Sequence, residues 1–141
     1  MKNRSLTKDY IHRAGIRLAA LQVLFDRGGY ADVVREAQEI VELVSKALIR
    51  HVGAEPARVH DVSAQLAEVR TRLAEEQKED LDALIAISRE LRRDRELAFY
   101  GTEDLTPSEF YSQADAERAF GHAQTAWNFV RKVTEGEFSP V

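Results

Sequence analysis

The sequence contains no cysteine, and only 3 prolines and 7 glycines occur among its 141 residues. Without cysteine the chain forms no disulfide, has no thiol nucleophile, and cannot bind zinc or an iron–sulfur cluster through sulfur. The scarcity of helix-breaking residues favours long regular elements. No apolar run is long enough to span a bilayer or to act as a signal sequence. We therefore expect a soluble, cytoplasmic, prokaryotic protein with no membrane partner.

The charge balance argues against a broad basic surface of the kind that many nucleic-acid-binding proteins carry. The chain has 20 basic and 24 acidic residues, which give a net charge of −4, and such a balance leaves room only for a small local cationic site. Hydrophobic residues make up 44 % and charged residues 31 % of the sequence, which is typical of globular proteins. The length predicts one domain over residues 1–141.

Apolar residues recur at helical spacing along almost the whole chain. The first helix ends at Gly28-Gly29, and the second runs from about Tyr30 to His51. Apolar residues cover more than half of the circumference of this second helix, which indicates a central helix with several neighbours. This breadth exceeds what one bundle seam requires, so we expect the second helix to supply a dimer interface as well.

Further helix boundaries are marked by capping residues and glycines. Asp61 is placed to cap a third helix through about Leu73, and Gly101 closes the fourth helix. The segment Thr106-Pro107-Ser108-Glu109 is a capping box, and Gly136 is predicted to end the last helix. No segment alternates as a strand does. The sequence thus predicts an all-α, up-and-down bundle of four long helices plus a shorter fifth helix.

Several enzyme motifs are absent from the sequence. It has no glycine-rich phosphate loop and no G-x-S-x-G segment. No H-x-x-x-H or E-x-x-H pair involves any of the four histidines, which are His12, His51, His60 and His122. We therefore expect no metal site and no cofactor.

A charged residue interrupts the core-facing stripe of the fourth helix. Arg95 lies on this stripe, Arg92 precedes it by about one turn, and Tyr100 follows near the helix end. A buried guanidinium needs a carboxylate or several other acceptors. Two interpretations stay open, namely a pocket for an anion, phosphate or nucleotide, and a structural ion pair of Arg95 with an acid such as Asp61 or Glu117.

Two further sets of polar residues are candidates for a site. His60-Asp61 is either a histidine oriented by a carboxylate for acid–base chemistry or a helix cap beside a histidine. Gln38, Glu42 and Lys46 recur every fourth residue on the second helix. This polar line is either a solvated stripe, with Glu42 and Lys46 paired, or a seam against a partner subunit or the arginine pair.

The same residues carry a resemblance to a known family. Its pattern includes the segment Ala37-Gln38-x-x-x-Glu42-x-x-x-Lys46-Ala47-Leu48, then Gly53, Pro56 and His60-Asp61, then Arg92-x-x-Arg95-Glu96 with Tyr100-Gly101, and finally Tyr111-x-x-x-Asp115-Ala116. In these positions the chain resembles the HEPN domain (higher eukaryotes and prokaryotes nucleotide-binding), over about residues 8–134. The resemblance implies an up-and-down helical bundle that forms a homodimer.

The resemblance also implies a choice of activities. Some family members are metal-independent ribonucleases, often toxins, with an R-x(4–6)-H motif. Others are inactive modules that bind nucleotides or proteins, and many are encoded beside a nucleotidyltransferase that acts as antitoxin. No histidine of this chain follows an arginine at the required spacing. The nearest substitutes are Arg95-x-x-x-x-Tyr100 and Arg118-x-x-x-His122, and the latter pair is expected on the surface.

Three hypotheses for the function follow. The first is a non-catalytic HEPN-type module that binds a nucleotide or a protein partner, with a nucleotidyltransferase as the expected partner in a toxin–antitoxin-like system. The second is a metal-independent ribonuclease that uses Arg92, Arg95 and Tyr100 with His60 or His122 as the base. The third is a purely structural helical homodimer.

Overall fold

The structure is a computed structural model that describes the backbone of residues 4–100 and 106–138 and the side chains of residues 5–92 and 106–135. Within these ranges the chain forms α-helices and two short 3-10 turns, with no strand. The helices are α1 (Arg4–Asp26), α2 (Tyr30–His51), α3 (Ser63–Glu68), α4 (Lys78–Tyr100), α5 (Pro107–Phe110) and α6 (Gln113–Phe138). Four of them are long, which confirms the predicted all-α bundle.

The second helix is the centre of the bundle. It packs against α1, α4 and α6, and its side chains Val33, Ile40, Val44 and Leu48 are completely buried. This arrangement confirms the prediction of a central helix. The apolar side chains of α2 are buried against other helices of the same subunit. The helix therefore has no further apolar face with which to bind a second subunit. The homodimer itself stays a prediction.

Tight turns reverse the chain between neighbouring helices. Gly28 and Gly53 have φ angles of 75° and 90°, in the left-handed region that favours glycine. They follow α1 and α2, and the end of α1 at Gly28 is as predicted. The α6 helix lies antiparallel to α1, since Trp127 in the second half of α6 bonds to Ile11 near the start of α1. At the opposite end Phe120 packs on Phe25.

The third helix is shorter than the sequence predicts. Asp61 Oδ1 accepts a hydrogen bond from the backbone N–H of Ser63, the first residue of α3, at 3.0 Å. The helix ends at Glu68, and the chain tightens into a 3-10 turn over Arg70–Arg72. In that turn Arg72 donates to the carbonyl of Val52 at 3.2 Å, so the segment is held against the end of α2.

Side-chain caps precede α5 and α6. Thr106 Oγ1 accepts from the N–H of Glu109 at 3.3 Å, which is one half of the predicted capping box. The Glu109 carboxylate accepts from the Thr106 hydroxyl instead of its backbone N–H, and α5 is only 4 residues long. Ser112 and Asp115 bond each other's backbone N–H groups at 2.8 and 3.2 Å. The prediction that Gly136 ends the last helix is wrong, because α6 continues to Phe138. The Gly101 boundary lies outside the described residues.

Candidate functional site

The polar line of α2 lies inside the subunit. Gln38 is only 3 % exposed, and the side chains of Glu42 and Lys46 are 13 % and 21 % exposed. Lys46 Nζ lies 3.1 Å from Glu42 Oε2, so the predicted pair one helical turn apart is present. The line is therefore not a fully solvated stripe, since its first member is buried and the other two are largely covered.

His60 completes this polar line from a different element. Its Nδ1 lies 3.0 Å from Glu42 Oε1, while the other carboxylate oxygen faces Lys46. Because an ionised carboxylate only accepts hydrogen bonds, His60 carries its proton on Nδ1, and in the neutral ring Nε2 is free to accept. The His60 side chain is 57 % exposed. We call Glu42, Lys46 and His60 the Glu42 cluster.

The loop that carries His60 is fixed at several points. Gln65 of α3 donates to the Glu55 carbonyl at 2.7 Å and accepts from the N–H of Ala57 at 2.8 Å. Arg50, at the end of α2, lies 3.4 Å from the Glu55 carboxylate. Pro56, which belongs to the same loop, is buried. These contacts hold the backbone that presents His60, so the Glu42 cluster is built on a defined loop conformation.

The carboxylate that contacts the His60 ring is not its sequence neighbour. Glu42 comes from α2, eighteen residues earlier in the chain. Asp61 is exposed, and its Oδ1 bonds the first N–H of α3. The interpretation in which Asp61 orients the His60 ring is wrong, because the carboxylate at the ring belongs to Glu42. The cap interpretation holds in a modified form, since the N-cap residue is Val62 and Asp61, one residue earlier, bonds the N–H of Ser63.

Arg92 lies away from the Glu42 cluster. Its neighbour Leu91 lines a cleft together with Val34, in the first half of α2. Eight residues separate Val34 from Glu42, which is about 12 Å along the helix axis. The structure therefore does not bring Arg92 and His60 into one pocket.

The other predicted anion-binding residues lie beyond the described side chains. Arg95 and Tyr100 belong to the last part of α4, of which only the backbone is described. Both the phosphate pocket with Arg92 and the alternative ion pair of Arg95 therefore stay predictions.

A second cluster of charged side chains joins α4 to α6. Glu90 of α4 pairs with Arg118 of α6 through one carboxylate oxygen, and its other oxygen lies 2.6 Å from His122 Nε2. Arg118 is 65 % exposed and His122 only 28 % exposed. The sequence places Arg118 and His122 on one helix face but gives no local signal that Glu90 is their partner. The expectation of a simple surface pair thus holds for Arg118 only.

An exposed ion pair stabilises the corner between α3 and α4. Arg70 donates two hydrogen bonds, of 2.8 and 2.9 Å, to the two carboxylate oxygens of Asp82. The guanidinium lowers the pKa of the Asp82 carboxyl, and the carboxylate raises the pKa of Arg70. Lys78 in the same way lowers the pKa of Glu75. These pairs lie in solvent and hold the corner only weakly.

In the described part of the chain, no three histidine or acidic side chains are grouped so that they could hold a metal ion. Of the helices in the described ranges, none has the length and apolar character needed to cross a bilayer.

Comparisons with known proteins identify the domain. A family model described as HEPN domain matches residues 7–133, which is most of the 141-residue chain. Searches of the curated proteins and of the solved structures returned no match. The family match covers all of α2, α3, α4 and α5 and therefore includes the Glu42 cluster and the Glu90 pair.

Proposed function

The chain belongs to the HEPN domain family, which is a nucleotide-binding and ribonuclease-type family, and we propose that it is a non-catalytic binding module of that family. It binds a nucleotide or a protein partner and acts as a homodimer. A nucleotidyltransferase is the expected protein partner, in a system of the toxin–antitoxin kind. This proposal takes up the first of the three hypotheses from the sequence.

The observation that supports this proposal is that one carboxylate faces both the arginine and the histidine of α6. One oxygen of Glu90 pairs with Arg118, and the other lies 2.6 Å from His122 Nε2. Metal-free RNA cleavage needs a base for the 2′-hydroxyl proton and a cation for the phosphate. The Glu90 carboxylate offsets the positive charge of Arg118, so a phosphate is attracted to this position less strongly than to an unpaired arginine.

The test is an RNA cleavage assay in the presence of EDTA, with purified protein at micromolar concentration. We expect no cleavage of a mixed RNA substrate, while a metal-independent ribonuclease run alongside cleaves it. Titration with nucleotides, and co-purification with a nucleotidyltransferase encoded nearby, then measure the binding activity. Binding of either supports the proposal, whereas binding of neither leaves the purely structural homodimer.

One observation favours a second candidate, a metal-independent ribonuclease. In the Glu42 cluster the carboxylate holds Nδ1 of His60 at 3.0 Å, and the ring is 57 % exposed. A histidine held in this way presents Nε2 as a base that could take the proton of a ribose 2′-hydroxyl. Lys46 lies beside the same carboxylate and is the nearest cation for a phosphate.

Two variants separate this candidate from the first. If the parent cleaves RNA in EDTA, His60→Ala should abolish the activity, and Glu42→Gln should reduce it by roughly 10-fold to 100-fold through loss of ring orientation. The matched control is Glu68→Gln, since Glu68 is an exposed acid at the end of α3. Cleavage that survives His60→Ala would exclude the Glu42 cluster as the catalytic site.

A further inference from the structure

The first helix carries a second apolar stripe that the bundle leaves uncovered. Its core stripe includes Leu21, which is completely buried. On the outer side Ile16 is 58 % and Val23 is 57 % exposed, and Ala19 between them is exposed as well. Ile16 and Val23 are seven residues apart, nearly two turns, and so lie on one line along the helix. Among the described residues only Val59 and Phe110 are other large apolar side chains with comparable exposure.

This stripe borders a groove between α1 and α6 of about 880 Å³. Trp127 forms its floor, because Trp127 Nε1 donates to the Ile11 carbonyl at 2.9 Å and the ring lies against Gly15. Further along the same two helices, a second depression of about 290 Å³ is lined by Phe25 and Phe120 among others. The two depressions form one extended surface, which we call the α1–α6 face.

The two ends of the α1–α6 face differ in charge. Lys8, His12 and Arg131 line the groove at one end, together with Glu135. The Glu135 carboxylate lies 3.2 Å from Arg131 Nη1, so the lysine supplies the excess of positive charge at this end. At the other end, the only charged residue that lines the depression is Glu117. The middle of the face is therefore apolar along α1, where Ile16 and Ala19 lie, and polar along α6, where Gln124 lies. One end carries an excess of positive charge, and the other carries the negative charge of Glu117.

We propose that the α1–α6 face binds the same face of a second copy of this chain, with the helices of the two copies antiparallel. An antiparallel arrangement places the cationic end of each copy opposite the anionic end of the other. A parallel arrangement would place like charges together, which costs binding energy. This inference rests on the homodimer of the proposed function and assigns its interface.

The spacing of residues locates the two-fold axis of this dimer. On α1 the midpoint between Ile16 and Val23 falls at Ala19 and Ala20, and on α6 the midpoint between Glu117 and Arg131 falls at Gln124. The two midpoints lie at a similar level of the bundle, because contacts between α1 and α6 flank this level. Gly15 contacts Trp127 on one side of the midpoints, and Phe25 contacts Phe120 on the other side.

A two-fold axis at this level therefore produces both an apolar contact and a contact between opposite charges. Ile16 of each copy packs on Val23 of the partner subunit, and Arg131 of each copy lies opposite Glu117 of the partner subunit. The small side chains of Ala19 and Ala20, both exposed, allow the two α1 helices to approach closely at the axis.

The area of the face is suitable for a stable dimer. The α1 helix has 23 residues and is about 34 Å long; two helices side by side are about 20 Å wide, so the face offers about 680 Å² per subunit. Specific interfaces bury about 800 Å² per partner. The α1–α6 face alone thus supplies most of the area that such a dimer requires.

The test is sedimentation or light scattering of Ile16→Glu and Val23→Glu variants at micromolar concentration. We expect the parent to be a dimer, and each variant to raise the dissociation constant by roughly 100-fold or more, because an unpaired charge enters the centre of an interface. The matched control is Val59→Glu, since Val59 is similarly exposed, at 52 %, on the α2–α3 loop. This control should leave the dimer intact.

A second pair of measurements keeps the inference testable if a variant folds poorly. Because the chain has no cysteine, Ala19→Cys provides a single thiol near the axis and should form a disulfide-linked dimer on oxidation, whereas Val59→Cys should not. Glu117→Arg and Arg131→Glu should each weaken the dimer, and the double variant should recover it.

Two outcomes would overturn the inference, and they differ in what they imply. A parent dimer that persists in Ile16→Glu and Val23→Glu would place the interface elsewhere and leave the homodimer of the proposed function standing. A monomeric parent would remove both the interface and the homodimer.

Discussion

Two glycines inside helices provide a matched test of how closely α1 packs on α6. Gly15 lies within α1 and Gly121 within α6. A Cβ added at Gly121 would meet no atom within 4 Å, whereas one added at Gly15 would lie 3.1 Å from Cζ2 of Trp127. The indole cannot retreat freely, because its Nε1 bonds to Ile11 at 2.9 Å and the Arg131 guanidinium lies 4.8 Å from its ring centre.

The free energy of unfolding should therefore respond oppositely at the two sites. Replacing a helix-interior glycine by alanine stabilises a helix by about 1 kcal/mol, and Gly121→Ala should show this gain. At Gly15 the same gain is opposed by overpacking, which costs about 1 to 3 kcal/mol. We expect Gly15→Ala to leave stability unchanged or to lower it by up to about 2 kcal/mol.

Thermal unfolding followed by circular dichroism measures this difference. Both variants should be compared in the Ile16→Glu background, so that dimerisation does not contribute. The two midpoints of thermal unfolding should differ by about 3 to 10 °C for a chain of this size. If Gly15→Ala stabilises the protein as much as Gly121→Ala does, the close contact between α1 and the Trp127 ring is not present.

Three further predictions concern the ion pairs. Glu42→Gln should lower the free energy of unfolding by about 1 to 2 kcal/mol, because the charge of the partly buried carboxylate no longer stabilises its contacts with Lys46 and His60. The exposed control Glu68→Gln should change it by less than about 0.5 kcal/mol. Equal effects of the two variants in urea denaturation would contradict the pairing. Glu90→Gln should lower it by about 1 kcal/mol, and an unchanged midpoint would show that the contact to α6 contributes nothing. Since Arg70 lowers the pKa of Asp82 in the folded state, the carboxylate stabilises the fold above its ordinary pKa, and this contribution is lost as the pH falls through the lowered value. Asp82→Asn should therefore be slightly less stable than the parent at neutral pH and equal to it in strong acid; a difference that grows in acid would reverse this argument.

The extent of the central helix could be predicted from the sequence. Its bounds, Tyr30–His51, are as observed, because glycines mark both ends and the apolar residues between them cover a wide face. The pairing of Glu42 with His60 could not be predicted in this way. The two residues are 18 positions apart, and a loop whose course depends on tertiary contacts carries the histidine. The same holds for Glu90 and His122, which lie on different helices.

Glycines illustrate a second limit of sequence reasoning. Gly28 and Gly53 follow helices because they adopt a left-handed φ, whereas Gly15 and Gly121 lie inside helices, one of them against an aromatic ring. A glycine in the sequence does not reveal which of these conditions holds. The failed prediction at Gly136 has this cause, since nothing in the local sequence shows that α6 continues through it.

The antiparallel packing of α1 and α6 has a consequence for the connectivity of the chain. Lys8 and Glu135 line the same groove, so the beginning of α1 and the end of α6 lie side by side. A short linker could therefore join them, and the chain could be opened instead at the exposed turn containing Gly28. Every helix would keep its neighbours in such a circular permutant, because contacts to α2 hold the bundle together whatever the order in which the helices are connected. Arg50 lies over the Tyr10 ring at the same end, so the first part of α1 also contacts the last turn of α2, next to the loop that carries His60.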